Sequence, residues 1–206
     1  HYDAHTGVAA DDNASGTVGV LELARYFASR PQARTIRFVA FVNEEPPYFK
    51  VPGKMGSEVY AERSRERGDD IRAMLALEMI GYYSSEAGSQ KYPSPLNLFY
   101  PSVGNFIAFV GTIENADLVR QCIGVFRNKV KFPSEGAALP GALPGIDYSD
   151  HWSFQQHGYP AIMVTDTAFF RNHNYHEESD TPETLDFPRM ARVVTGLRYV
   201  VEELAN

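Results

Sequence analysis

A single cysteine, Cys122, stands in 206 residues, so no internal disulfide can form. Its apolar neighbours at helical spacing mark it as a core residue. Long apolar runs are also lacking: no stretch approaches the ~20 residues that a membrane-spanning helix needs. Positive charge is scarce as well. Against 26 acidic residues stand 19 basic ones, a formal net charge of -7. That balance argues against a nucleic-acid partner, which would be met by a basic face. Repeats, low-complexity tracts and linkers are absent, so nothing divides residues 1–206 into two units. The chain opens on His1 rather than methionine, so it carries no information about a leader.

What is present is ordinary for a globular chain. Apolar residues make up 44% and charged residues 22%, enough to bury a sizeable core. Val20, Leu23, Ala24 and Phe27 follow an i, i+3, i+4, i+7 pattern, which predicts an amphipathic helix over residues 15–30. Residues 57–67 read as a charged helix ended by Gly68. Val119, Cys122, Ile123 and Phe126 repeat the helical spacing. Residues 150–156 read as a short helix capped by Ser149. The clearest helix is the last, with Met190, Val193, Val194, Leu197, Val201 and Leu204 on one face, Asp186 as its cap and Pro188 in its first turn. Between them lie apolar runs at residues 36–42, 74–79, 106–110 and 161–164, short enough for strands covered on both faces. Strands alternating with helices predict a three-layer α/β/α sandwich with a mixed, mostly parallel central sheet. Residues 84–104 and 131–149 are rich in Pro, Gly and Ser without periodicity and are expected to wall a site.

Several acids and histidines sit where charge is costly. Glu44 and Glu45 follow the apolar run 36–42, and Glu78 ends the run 74–79. An unpaired charge at such positions calls for a positive partner, and ligands of open α/β sheets bind outside strand carboxyl ends. In His1-Tyr2-Asp3 a carboxylate lies where it can orient an imidazole that ligates metal. A frayed surface turn is the simpler alternative. Asp12, before Asn13-Ala14-Ser15-Gly16, is either a helix cap or part of a tightly packed site. Tyr175-His176 lies in a polar loop before the last helix. Asp150 is either a cap or a buried orienter of a ligand histidine. Two histidines with several carboxylates and no cysteine suit hydrolytic zinc better than structural zinc.

Taken in order, His-Tyr-Asp, Asp-Asp-Asn-Ala-Ser-Gly, Asn-Glu-Glu, Leu-Glu-Met-Ile-Gly, Ser-Asp-His and Tyr-His followed by Asp-Thr resemble the co-catalytic di-zinc aminopeptidases. That family includes bacterial leucyl-type enzymes and is related to glutamate carboxypeptidases and one-zinc glutaminyl cyclases. The likeness runs over residues 1–186. It implies two zinc ions per chain, with His1 and Glu78 on one, Glu45 and His176 on the other, and Asp12 bridging them through a cis peptide to Asn13. It further implies Glu44 as general base, Tyr175 as a group polarising the carbonyl, and Asp3 and Asp150 as partners of His1 and His176 respectively. The expected substrate is a peptide with a free N-terminus, and the family suggests a periplasmic or secreted setting. Family members carry a strand immediately ahead of the first ligand histidine, so those elements are expected upstream of His1.

The chain departs from the pattern in places. Several family members have aspartate where Glu78 stands, and the segment 45–49 is unusual. Tyr48, Phe49, Tyr82 and Tyr83 are candidates for an apolar pocket. A glutamate carboxypeptidase would need a basic pocket, for which Arg120, Arg127 and Arg171 are available. A glutaminyl cyclase would lack the first histidine. A metal-free binding homologue would lack ligands that are present here. A copper site built on an N-terminal histidine belongs to β-sandwiches.

Overall fold

In the computed structural model, which describes all 206 residues, one sheet is built from β1 (Met74–Glu78), β2 (Ile107–Thr112), β3 (Ser134–Leu139) and β4 (Ala161–Thr165). Their spatial order is β1-β4-β2-β3. The outer pairs β1/β4 and β2/β3 run parallel and the central pair β2/β4 antiparallel. Five helices accompany them: α1 (Gly16–Phe27), α2 (Gly56–Glu66), α3 (Ala116–Lys129), α4 (His151–Gln156) and α5 (Phe187–Ala205). The α/β architecture with a mixed, mostly parallel sheet is therefore as expected.

Alternation along the strands sets the layers. Ile107, Phe109, Ile162 and Val164 face a main core that they share with Leu23 and Phe27 of α1, Cys122 and Phe126 of α3, and Met190, Val193 and Leu197 of α5. The residues between them, Ala108, Val110 and Met163, face the other way, toward Phe106 and Ile146. On that second side α2 and α4 cover only the β1 end, through Ala61 and Phe154. Loops cover the rest, and a cavity lies beneath them.

The last helix illustrates how local signals agree. Asp186 accepts a hydrogen bond from the Arg189 amide at 2.9 Å, closing the first turn. Val193, Leu197 and Val200 are buried completely or nearly so, and burying each stabilises the fold by about 1.5–3 kcal/mol. A Cβ on Gly196 would stand 2.2 Å from Phe126 Cε2, so glycine sets how closely α5 approaches α3. No helix is long and apolar enough to cross a membrane.

Three expectations change. The apolar run 36–42 joins no strand ladder. Ile36 and Phe38 pack on the main core, but the run's only main-chain hydrogen bonds are those Phe41 and Val42 accept from Tyr2 and Gly56. A narrow slot lined by Val39–Phe41 and Met74–Leu77 separates it from β1. Apolarity specifies burial and leaves the hydrogen-bond partner open. Conversely, β3 arises inside the stretch read as loop, because Ser134-Glu135-Gly136-Ala137-Ala138-Leu139 is too small and polar to signal a strand. Ser149 does not cap α4. Its hydroxyl donates to Glu78 Oε2 at 2.8 Å.

Candidate metal centre

The predicted acids and histidines converge although they come from five separate segments. Asp12 lies in the irregular turn Ala10–Ser15 before α1, Glu44 and Glu45 follow the run 36–42, Glu78 ends β1, and His1 and His176 come from loops. All but His176 are nearly excluded from solvent. The Asp12–Asn13 peptide is cis.

Asp12 stands at the centre. Its Oδ1 lies 3.5 Å from His1 Nε2 and its Oδ2 lies 3.2 Å from His176 Nε2. One carboxylate thus addresses both imidazoles. Around His1 Nε2 are also Glu78 Oε2 at 3.4 Å and Glu44 Oε2 at 3.5 Å. On the other side Glu45 Oε2 lies 3.2 Å from His176 Nε2. These separations match the edge of a tetrahedron, about 3.3 Å, drawn around an ion with bonds of roughly 2.0 Å.

The surroundings fix these side chains. His1 Nδ1 lies 3.1 Å from the Asp3 carbonyl oxygen and 3.5 Å from Asp3 Oδ1. A proton on Nδ1 donates to the carbonyl oxygen and leaves Nε2 free as a ligand. Asp3 Oδ2 in turn accepts from the Glu45 amide at 3.1 Å. Asp150, assigned by resemblance to His176, sits instead beside His1, with Oδ2 3.4 Å from the main-chain nitrogen of His1. His176 is held by stacking, with Tyr175 at 3.8 Å and His5 at 4.1 Å between ring centroids.

Three further residues hold the Asp12 turn, and their local sequence gives no hint of it. Asp180 accepts from the amides of Asp11 and Asp12 at 2.9 and 3.0 Å. Asn13 donates to the Leu77 carbonyl at 2.8 Å and accepts from the Met79 amide at 3.0 Å, tying the turn to β1. Asp11 accepts from the Gly81 amide and from Asn172. Gly16 completes the fit, since a Cβ there would stand 2.2 Å from the Leu77 carbonyl oxygen.

The electrostatics are those of a site short of positive charge. Burial pushes Glu44 well above the usual carboxylate range; His1 opposes this, while Glu78, Asp150 and Glu45 add to it. Burial likewise raises Glu45, Glu78 and Asp150. Burial also acts against charge on Asp12, yet His1 and His176 hold it down to about 2. Burial acts against charge on His176 too, and Asp12 with Glu45 still raises it to about 9. Carboxylate oxygens Oε1 of Glu45, Oδ1 of Asp3 and Oδ1 of Asp150 are buried without a hydrogen-bond partner. Orphaned buried carboxylate oxygens beside two imidazoles fit divalent cations.

The acids also line one end of a cavity of about 240 Å³. Its walls include Tyr92, Phe106, Met163, Phe169 and Phe170, together with Tyr175. Both loop stretches flagged in the sequence contribute to it. Of the four aromatics proposed for a pocket, Phe49 lines the cavity, whereas Tyr83 is packed in the main core and Tyr82 pairs with His173. Tyr48 is exposed. The three arginines offered for a basic pocket are elsewhere: no lysine or arginine lines the cavity. Arg171 is buried and donates to Gln90 and the Phe106 carbonyl, Arg127 bonds Ser134, and Arg120 pairs with Asp117 on the surface.

Residues 1–201 match the family described as Peptidase family M28. Among relatives, the uncharacterized protein YfbL of Escherichia coli (strain K12) is 47% identical over 189 residues, covering 91% of this chain and 57% of that protein. Leucine aminopeptidase 1 of Ajellomyces dermatitidis is 30% identical, covering 92% of this chain and 46% of that protein. Among solved structures, the zinc aminopeptidase BSAP of Bacillus subtilis superposes with a TM-score of 0.73 at 23% identity, over 98% of this chain and 44% of that one. The chain thus spans about half the length of the relatives it matches.

Proposed function

The chain belongs to peptidase family M28, and on that premise we propose that it is a di-zinc aminopeptidase, removing the N-terminal residue of a peptide. The observation that carries the proposal is Asp12, with one carboxylate oxygen directed at each histidine. His1 and Glu78 would hold one zinc ion, Glu45 and His176 the other, and Asp12 both. Bound zinc supplies Lewis acidity toward a carbonyl oxygen and lowers the pKa of water.

The remaining steps belong to side chains. Glu44 stands among the ligands, and as general base it takes a proton from the attacking water and returns it to the leaving amine. Tyr175 is kept protonated, its pKa raised by burial and then by Asp12, Glu78 and Glu45. Its hydroxyl donates to the carbonyl oxygen as negative charge develops there. The carboxylates that surround the site receive the substrate's free amine, and the cavity receives the side chain of its first residue. A glutamate carboxypeptidase is disfavoured by the lack of any lysine or arginine in the cavity wall. A one-zinc cyclase is disfavoured by His1, whose Nε2 faces three carboxylates.

The test is Glu44→Gln in zinc-loaded protein, assayed on leucyl p-nitroanilide with zinc counted by elemental analysis. Loss of a general base predicts a fall in kcat of about 10²–10⁴ with both ions retained. Near-normal turnover would remove Glu44 from the role, and one equivalent of zinc in the unaltered protein would overturn the di-zinc reading.

A further inference from the structure

The cavity is apolar along most of its wall but has one acidic group at the end away from the proposed zinc ligands. The sheet register places it. Glu78 of β1 pairs with Thr165 of β4, Thr165 with Ala108 of β2, and Ala108 with Glu135 of β3. All four line the cavity. They form one row across the floor, with the carboxylates of Glu78 and Glu135 at its two ends. Three strand spacings separate their backbones, about 14 Å. Between them the floor is short-chained, and Val110, Met163 and Ala137 continue it one row on.

The Glu135 carboxylate makes no hydrogen bond to another protein group. Its nearest cation is Arg127, whose Nη2 lies 3.6 Å from Glu135 Oε2. Arg127 also donates to the hydroxyl and the carbonyl oxygen of Ser134, and it meets Glu135 only as this long ion pair. Tyr92 and Tyr100, which also line the cavity, donate their hydroxyls to the carbonyls of Pro101 and Gly136. The side chain of Glu135 is 30% exposed, and desolvation outweighs Arg127 to raise its pKa. A carboxylate left in this state gains from an incoming cation.

We propose that Glu135 is the specificity-determining group of the cavity: it selects, as the first residue of the peptide, a side chain with a long apolar stem and a cationic tip, lysine or arginine. This rests on the aminopeptidase reading, because the substrate's amine and scissile carbonyl must be held at the zinc end. The stem then runs over Ala108 and beneath Phe170, and the tip meets Glu135. An apolar side chain of the same length fills the cavity and leaves Glu135 with Arg127 alone. Alanine reaches neither.

The experiment compares lysyl and norleucyl p-nitroanilides, which differ by the terminal ammonium, on unaltered protein and on Glu135→Gln. The proposal expects kcat/KM to favour lysyl, and that preference to fall about tenfold in the variant, the worth of one partly exposed ion pair with hydrogen bonding. An equal or reversed preference in the unaltered protein, or a ratio the variant does not move, would overturn it. Calorimetric binding of lysine and norleucine hydroxamates to the same two proteins separates this from the activity itself. If no anilide is cleaved but lysine hydroxamate binds tighter and Glu135→Gln removes the difference, the aminopeptidase reading fails while Glu135 keeps its role. If neither hydroxamate binds, or both bind alike, the role of Glu135 is refuted.

Discussion

His151 makes acid stability a measurable property of this fold. Its imidazole is fully buried at the start of α4, with Nε2 2.9 Å from the Ile146 carbonyl oxygen and Nδ1 without a partner. Burial pulls its pKa down from 6.5 to about 4, and the Ile146 hydrogen bond with Asp147 and Asp150 only partly opposes it. The folded protein therefore prefers the neutral ring. Below pH 6.5 the unfolded chain takes up a proton that the folded chain refuses, so stability falls with pH from 6.5 to about 4. The whole interval corresponds to about 3 kcal/mol, of which about 2 kcal/mol is lost between pH 7 and pH 5. With a urea slope of about 2 kcal/mol per molar, the midpoint should drop by about 1 M. Other groups titrate over the same range, so the difference between the unaltered protein and His151→Gln isolates the contribution. The variant should lack about 2 kcal/mol of that loss. Equal pH dependence in both proteins, or an NMR titration placing the His151 ring near its ordinary pKa, would refute the reasoning.

Two other expectations test the core. Gly196→Ala should destabilise by about 1–3 kcal/mol through overpacking, because its Cβ would collide with the Phe126 ring; thermal unfolding reads this as a lowered Tm, and an unchanged Tm would mean that α5 and α3 can part freely. Cys122 is fully buried and its thiol is pushed up to about 12 by burial, so a thiol reagent should label it only after denaturant is added; fast labelling of native protein would contradict the packing of α3.

What was legible in the chain was whatever repeats locally. The stripe Met190, Val193, Leu197 and the apolar runs of β1, β2 and β4 carry their period on their face, and α5 and three of four strands follow. The adjacent acids Glu44 and Glu45 were legible for a related reason: charge at the end of an apolar run has few bland explanations. Ser134–Leu139 was not legible as a strand because its side chains are small, and its pairing with β2 is supplied by the neighbour. The run 36–42 misled because burial and pairing are separate properties. The bonds made by Asp180, Asn13 and Ser149 are not legible locally because their partners lie 64 to 169 positions away, and a hydrogen bond over that distance leaves no local mark. The same separation explains Asp150, whose neighbour is His1 rather than His176.

The contact between Asp180 and the Asp12 amide spans 168 positions, and this bears on the order in which the molecule assembles. Closing so long a loop costs chain entropy before any contact rewards it. The turn that aims Asp12 therefore becomes rigid only after the sheet and α1 have brought the chain's two ends together. In folding experiments the local helices should acquire structure early and the acid cluster late. A probe that reads the geometry at Asp12 would report completion of the whole fold, and partly folded chains would present the acids without the arrangement that makes them a site.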